Sequence, residues 1–315
     1  MGASFDRIDY SVRPAKYAER RMLRDIFRRL SYFGALEEYH YVGFGSVWFS
    51  DFILFHRSLG VKQMTSIESK EKAFARVRDN APYRITLAFE RASKVIPKLD
   101  WSVRSFVWLD YDSQISRECL RDIAAIAGKA QSGSVIAVSL RCDEAVQLSD
   151  EEGVDSLKAF VEAFGRERVP SRATVDDLMG WPFSDLSREM LVAEIETALT
   201  IRNGNQSDKF KFQPICSFNY ADGVMMTTLV GIIAAESDAS RLSSCDFASL
   251  DFISTLGETV RINVPKLTSR EFKFLESQLP LKGTDSLALG TIPPKEAASF
   301  ELMYRYLPNY VVAES

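Results

Sequence analysis

Between residues 39 and 141, short apolar runs alternate with amphipathic segments, and no other feature of the chain limits its fold as strongly. YHYVG, MTSIE, ITLAFE, SFVWLDYD and GSVIAVSL read as strands. The intervening VWFSDFILFHRSLG, KEKAFARVRDN, ASKVIPKL and SRECLRDIAAIAGKA carry apolar residues at helical spacing. Stretches such as FVWL and VIAV are apolar at every position, the pattern of strands buried on both faces. Strands of that kind alternating with helices predict a parallel sheet covered by helices on both sides.

The rhythm changes after residue 141. Two acidic helical patterns, DEEGVDSLKAFVEAF and SDLSREMLVAEIETAL, occupy residues 142–209. FQPICSFNYADGVMMTTLVGII then gives two β-rich runs joined by Asp222-Gly223, a strong hairpin signal. TSREFKFLESQLP, with Thr268 or Ser269 as N-cap, and PPKEAASFELMYRYLP predict two helices near the C-terminus. The expected units are an N-terminal basic helix (1–38), a ligand-binding sheet domain (39–141 and 210–236), an acidic helical insert acting as a substrate cap (142–209), and a C-terminal appendage (237–315).

The net charge of −4 gives no global case for nucleic acid or a membrane surface as partner. Charge is uneven, however. Residues 11–30 carry seven basic side chains against Glu19 and Asp25, whereas residues 151–260 hold nine basic and eighteen acidic ones. The first stretch, with Met22, Leu23, Ile26, Phe27 and Leu30 on one side, reads as an amphipathic helix with a solvated basic face, and Arg13-Pro14-Ala15-Lys16 could sit over a site. Four scattered cysteines with no CxxC, and only two histidines, argue against a structural zinc site. MGASFDRIDYSV lacks an apolar leader core, and no window approaches 18 uninterrupted apolar residues, so a cytoplasmic protein with reduced thiols is expected. Oligomeric state is not legible.

In an open α/β sheet, ligands sit beyond the carboxyl ends of the strands. The first strand is followed by V-G-F-G-S, whose glycines let backbone approach a ligand. Glu68 after the second strand is placed to accept both hydroxyls of a ribose, and Glu90 after the third could accept from an adenine amino group. The fourth ends in Leu109-Asp110-Tyr111-Asp112. Trp48 and Tyr111 could wall a pocket there, with core packing the favoured reading for Trp48. Cys119 and His56 read as structural, and Cys142 has no visible base partner.

This series resembles the class I S-adenosylmethionine (SAM)-dependent methyltransferases: a glycine loop, an acid after strand two, an acid after strand three, and an acid opening a catalytic loop after strand four. ESKEKAFARVRDN and ITLAFERASKVIP are similar to the units after strands two and three in that superfamily. The resemblance covers about residues 39–140, and the hairpin by topology. It implies an α/β Rossmann-like doubly wound sheet ending in an antiparallel hairpin. It also implies a SAM site on Gly43, Phe44, Gly45, Ser46, Glu68, Ser69, Glu90, Arg91 and Asp110, with Asp110 and Asp112 facing the reacting centre. The chain departs from the usual acidic-x-Gly-x-Gly-x-Gly loop by placing Tyr41 at the acidic position and Val47 at the third glycine.

LDYDSQIS lacks the loop patterns of DNA amine and cytosine C5 methyltransferases. It looks closer to the Leu-Asp-His/Tyr of catechol-type O-methyltransferases, whose acid binds a divalent metal. Asp110, Asp143 and Glu144 are therefore a possible Mg²⁺ ligand set, although the favoured reading has Asp143 and Glu144 simply opening the acidic insert. The resemblance implies O-methylation of a small-molecule or protein substrate. A nucleotide or RNA substrate, a silent methyltransferase-like binding subunit and an NAD-type Rossmann enzyme remain open alternatives.

Overall fold

The computed structural model describes residues 13–147, 155–283 and 285–308. The MGASFDRIDYSV start, the opening of the DEEGVDSL pattern and the last residues of the chain lie outside them. Among the described residues, eight strands form one sheet: β1 (His40–Gly43), β2 (Gln63–Ile67), β3 (Thr86–Ala88), β4 (Ser105–Asp110), β5 (Ser134–Arg141), β6 (Phe210–Ala221), β7 (Met225–Ala235) and β8 (Thr259–Arg261). Their order is β3-β2-β1-β4-β5-β7-β6-β8, with β7 antiparallel to both of its neighbours. The strand order reverses between β1 and β4, so the first and fourth strand ends lie side by side, with Gly43 opposite Trp108.

The apolar runs resolve into two alternating faces. Tyr41, Phe106, Trp108, Val135 and Ala137 point into one apolar cluster; Val42, Val107, Leu109, Ile136 and Val138 point into the other. That period-two alternation within continuous apolar sequence is what a doubly covered sheet requires. The first face is covered by α1 (Pro14–Arg29) and α2 (Ser50–Leu59), with Val77 of α3 (Phe74–Asp79). Toward β6 and β8 the same face carries α9 (Ser269–Glu276) and α10 (Pro294–Met303), with the short α8 (Ala239–Ser244) beside β7. The second face carries α4 (Ala92–Val95), α5 (Arg117–Ala127), α6 (Ser156–Phe164) and α7 (Gly180–Asn203). Among the described residues, no helix is long and apolar enough to cross a membrane.

Two expected boundaries do not coincide with breaks in packing. The acidic segment 142–209 was expected to be a cap. Instead, Leu186, Met190, Leu191, Ile195 and Leu199 of α7 are buried in the same cluster as Ile123 and Ile126 of α5, while its acids stay on the outer side. α7 is thus the covering helix between β5 and β6. The segment after residue 236 likewise joins the sheet, because β8 pairs in parallel with β6. The hairpin falls where Asp222-Gly223 marks it, with Gly223 at φ 85°, a conformation that favours glycine.

The basic face of α1 is also not wholly solvated. Lys16, Glu19 and Arg20 are buried. They continue toward the N-terminus the stripe that Leu23, Ile26 and Phe27 form against the sheet. Asp222, in the β6–β7 turn, accepts the amides of Ala15 at 3.0 Å and Lys16 at 3.2 Å, capping α1 from a distant part of the chain.

Candidate functional site

A cavity of about 430 Å³ opens at the carboxyl ends of β1, β2 and β4. The loop from β1 to α2 forms one wall through Phe44, Gly45, Ser46 and Trp48. This loop is tightly determined. Phe49 N–H donates to Gly45 O at 2.8 Å, and Gly45 N–H to Ser66 Oγ at 3.2 Å. A Cβ on Gly45 would lie 2.5 Å from the Phe49 ring and 2.7 Å from Ser66 Oγ. A Cβ on Gly43 would lie 2.5 Å from the Tyr41 hydroxyl. The two glycines therefore make room for this chain's own aromatic rings, and Gly43 itself does not line the cavity. Ser46 and Phe49 hold φ of 47° and 48°, strained for non-glycine residues, as is common where a loop is shaped for a ligand.

The other residues expected at the site divide as follows. Glu68 lies just past β2 and lines the cavity with Ser69, its Oε1 accepting the Lys70 amide at 2.7 Å. Arg91 lines it as well. Glu90 does not: it is exposed and paired with Lys98 at 2.9 Å, whose hydrogen bond holds its carboxyl below the usual range. β3 stops at Ala88, and the chain turns Glu90 outward before α4 begins. Asp110 and Asp112 both line the cavity, and both are engaged by lysines. Lys16 Nζ stands 2.6 Å from Asp110, and Lys70 Nζ stands 3.2 Å from Asp112.

The possible metal set is not gathered. Asp143 is held by Arg141, whose hydrogen bonds draw its carboxyl below the usual range, and Glu144 bridges to Met179 through its backbone. Among the described residues, no three His, Cys, Asp or Glu side chains are grouped to hold a metal ion. Trp48 departs from its expected place in the core: it is 38% exposed and stands at the cavity wall. His56 Nδ1–H donates to Val61 O at 2.8 Å, a structural bond. Cys119 is buried, and burial raises its thiol pKa; the Cys142 thiol is raised to about 12, for the same reason. Neither is poised as a nucleophile.

Sequence reasoning missed Arg20, Asp51 and Asp122, all of which line the cavity. Lys16 lies behind Asp110. Its ammonium also contacts Glu19 at 2.8 Å and sits 4.5 Å over the Trp108 ring. Glu19 in turn accepts from the hydroxyls of Tyr220 and Thr228. The basic run hid these residues; carrying the apolar stripe of α1 back by whole turns from Leu23 would have found Lys16, Glu19 and Arg20.

The strand order, the reversal between β1 and β4 and a cavity at that reversal place the chain among Rossmann-like folds. Residues 8–315 match the model of a family described as "Putative O-methyltransferase". The chain belongs to that family. No curated protein matches it. Among solved structures it is similar to LepI in complex with SAM, at 10% identity and a TM-score of 0.39, over 66% of this chain and 46% of that one. It is also similar to P. horikoshii TYW2 in complex with MeSAdo, at 12% identity and a TM-score of 0.39, over 74% and 67% of the two chains. A third is the glycopeptide N-methyltransferase MtfA complexed with sinefungin, at 13% identity and a TM-score of 0.38, over 71% and 95%. The chain spans less than half the length of LepI.

Proposed function

We propose that this O-methyltransferase-family chain binds SAM in the β1–β2–β4 cavity and methylates an oxygen of a small-molecule or protein substrate. The observation that carries the reading is Glu68. It stands at the carboxyl end of β2 on the wall of a cavity it shares with Gly45 and Asp110. A carboxylate at that place suits the paired hydroxyls of a ribose.

The charge of the cavity fits the cofactor. Asp51, Glu68, Asp110, Asp112, Glu118 and Asp122 line it, against Arg20, Lys70 and Arg91. An excess of carboxylates suits a nucleoside that carries a sulfonium and an ammonium, and opposes the pyrophosphate of a dinucleotide. SAM, when bound, supplies an electrophilic methyl group. The chain's own part is positioning: Glu68 holds the ribose, the Gly45–Ser46 backbone lies alongside, and Trp48 and Tyr111 wall the space from water. Asp110, fixed by Lys16, orients the cofactor's amino-acid end or accepts the proton of the substrate hydroxyl. Mg²⁺ has no role in this reading, since Asp143 is committed to Arg141.

Nucleic acid is disfavoured as substrate. Lys16 and Arg20 are buried and Arg24 is paired with Asp25, which removes three of the seven basic side chains of the run from any phosphate-binding surface. The test is calorimetric titration with SAM, S-adenosylhomocysteine and NAD. Micromolar binding of the first two is expected, with no binding of NAD, and Glu68→Ala should weaken it about 100-fold through the loss of charge-assisted hydrogen bonds. Absence of any binding would leave the chain a silent methyltransferase-like subunit.

A further inference from the structure

The wall of the cavity nearest α1 carries a charge that the described residues do not pair. Arg20 is only 9% exposed and lines the cavity. Among the described residues, none makes a hydrogen bond with its guanidinium or forms an ion pair with it within 4.0 Å. On the same helix Lys16 has two carboxylates, and Arg21 meets the Tyr17 hydroxyl through a terminal nitrogen while its Nε has no partner among the described residues. A guanidinium that faces a cavity and has no ion-pair partner among the described residues is placed to take an anionic group bound there.

Asp51 stands on the same cavity, in the first turn of α2, where the helix dipole favours a carboxylate. The Tyr41 hydroxyl donates to its Oδ2. Burial raises the Asp51 carboxyl pKa on balance, against the opposing pull of the Arg20 charge and the Tyr41 hydrogen bond. Arg20 and Asp51 are thus close enough to feel each other and too far apart to close on each other. Opposite charges held open on one wall are what a small zwitterion requires. The acid that the loop lacks at position 41 is in effect carried by Asp51, with Tyr41 as its support.

We infer that Arg20 and Asp51 form a subsite for an α-amino-acid end, Arg20 taking the carboxylate and Asp51 the ammonium. The inference rests on the SAM reading and assigns the methionine end of the cofactor to α1 and α2. It makes the N-terminal helix part of the binding site and predicts discrimination between nucleosides with and without an amino-acid tail.

The test compares S-adenosylhomocysteine, its decarboxylated analogue and 5′-methylthioadenosine on the wild-type chain, Arg20→Gln and Asp51→Asn. Arg20→Gln should weaken S-adenosylhomocysteine about 10- to 100-fold and leave the other two within about twofold, as expected for one lost charge-assisted pair. Asp51→Asn should weaken both ligands that carry the ammonium and spare 5′-methylthioadenosine, whose binding also reports that the variants are folded. Arg20→Lys, which keeps the charge and loses the bidentate fork, should fall between wild type and Arg20→Gln. Equal weakening of all three ligands, or no change for S-adenosylhomocysteine in Arg20→Gln, overturns the subsite while leaving the SAM reading intact. Failure of the wild-type chain to bind any of the three overturns both.

Discussion

Asp122 shows how the cavity shapes a single group. It is buried on α5, accepts from the Tyr111 hydroxyl at 2.7 Å, and burial raises its carboxyl pKa from 3.8 to about 6. A carboxyl whose folded pKa is raised prefers to stay protonated in the fold. Its contribution to stability is therefore complete below about pH 4 and is lost as pH rises through about 6. The loss is at most about 3 kcal/mol at 1.36 kcal/mol per unit. Asp122→Asn keeps an acceptor for Tyr111 and removes the titration. Urea unfolding between pH 4 and 7 should show the wild type losing stability relative to Asp122→Asn as pH rises; parallel curves would mean that Asp122 titrates normally. At this scale strand ends led from the sequence to the cavity wall for Glu68 and Asp110, but not for Glu90, which the chain turns outward past β3 to pair with Lys98. It was not legible where burial depended on helix rotation, as with Arg20, or on a distant partner, as with Asp122 and Tyr111.

At the scale of elements, most strands and helices were readable because apolar period and local punctuation agree. The hairpin at Asp222-Gly223 is the clearest case, and Thr268 makes the expected capping box with Glu271. β3 is the weakest, shortened to Thr86–Ala88 at a sheet edge where half-buried residues specify pairing loosely. What no local pattern could reveal is that the hairpin turn is also the cap of α1. Asp222 accepts two amides of that helix's first turn, and burial pushes its carboxyl up against those hydrogen bonds. Asp222→Ala should cost about 1 kcal/mol, as lost N-caps do. The same change loosens the end of α1 that carries Lys16 and Arg20, so SAM affinity should fall while α1 remains helical by circular dichroism. Unchanged SAM affinity would show that Lys16 and Arg20 are placed by the apolar stripe of α1 alone.

The whole molecule turns on whether the acidic segment is an addition to the sheet or part of it. Its charge made it read as a cap, because acids dominate the sequence there and the apolar positions are spread thinly over 24 residues of helix. Folded, those positions form a continuous seam from Phe183 to Leu199 against α5 and the sheet, and Arg202 donates to the carbonyls of Ala127 and Ala130 just beyond α5. A detachable cap and a covering helix respond differently to one core truncation. Leu191 is fully buried in that seam, so Leu191→Ala should destabilise the protein by about 2–5 kcal/mol. If α7 belongs to the sheet's cooperative unit, denaturant unfolding followed by tryptophan fluorescence will shift its midpoint with an unchanged slope. The signal combines Trp108 on the opposite face of the sheet with Trp101 in the second cluster and Trp181 on α7 itself, so one common transition means that both faces and α7 unfold together. An added cap would instead melt in a separate, earlier transition and leave the main one where it stands in the wild type. A single shifted transition is expected, because the second apolar cluster runs unbroken from α4 across α5 to α7.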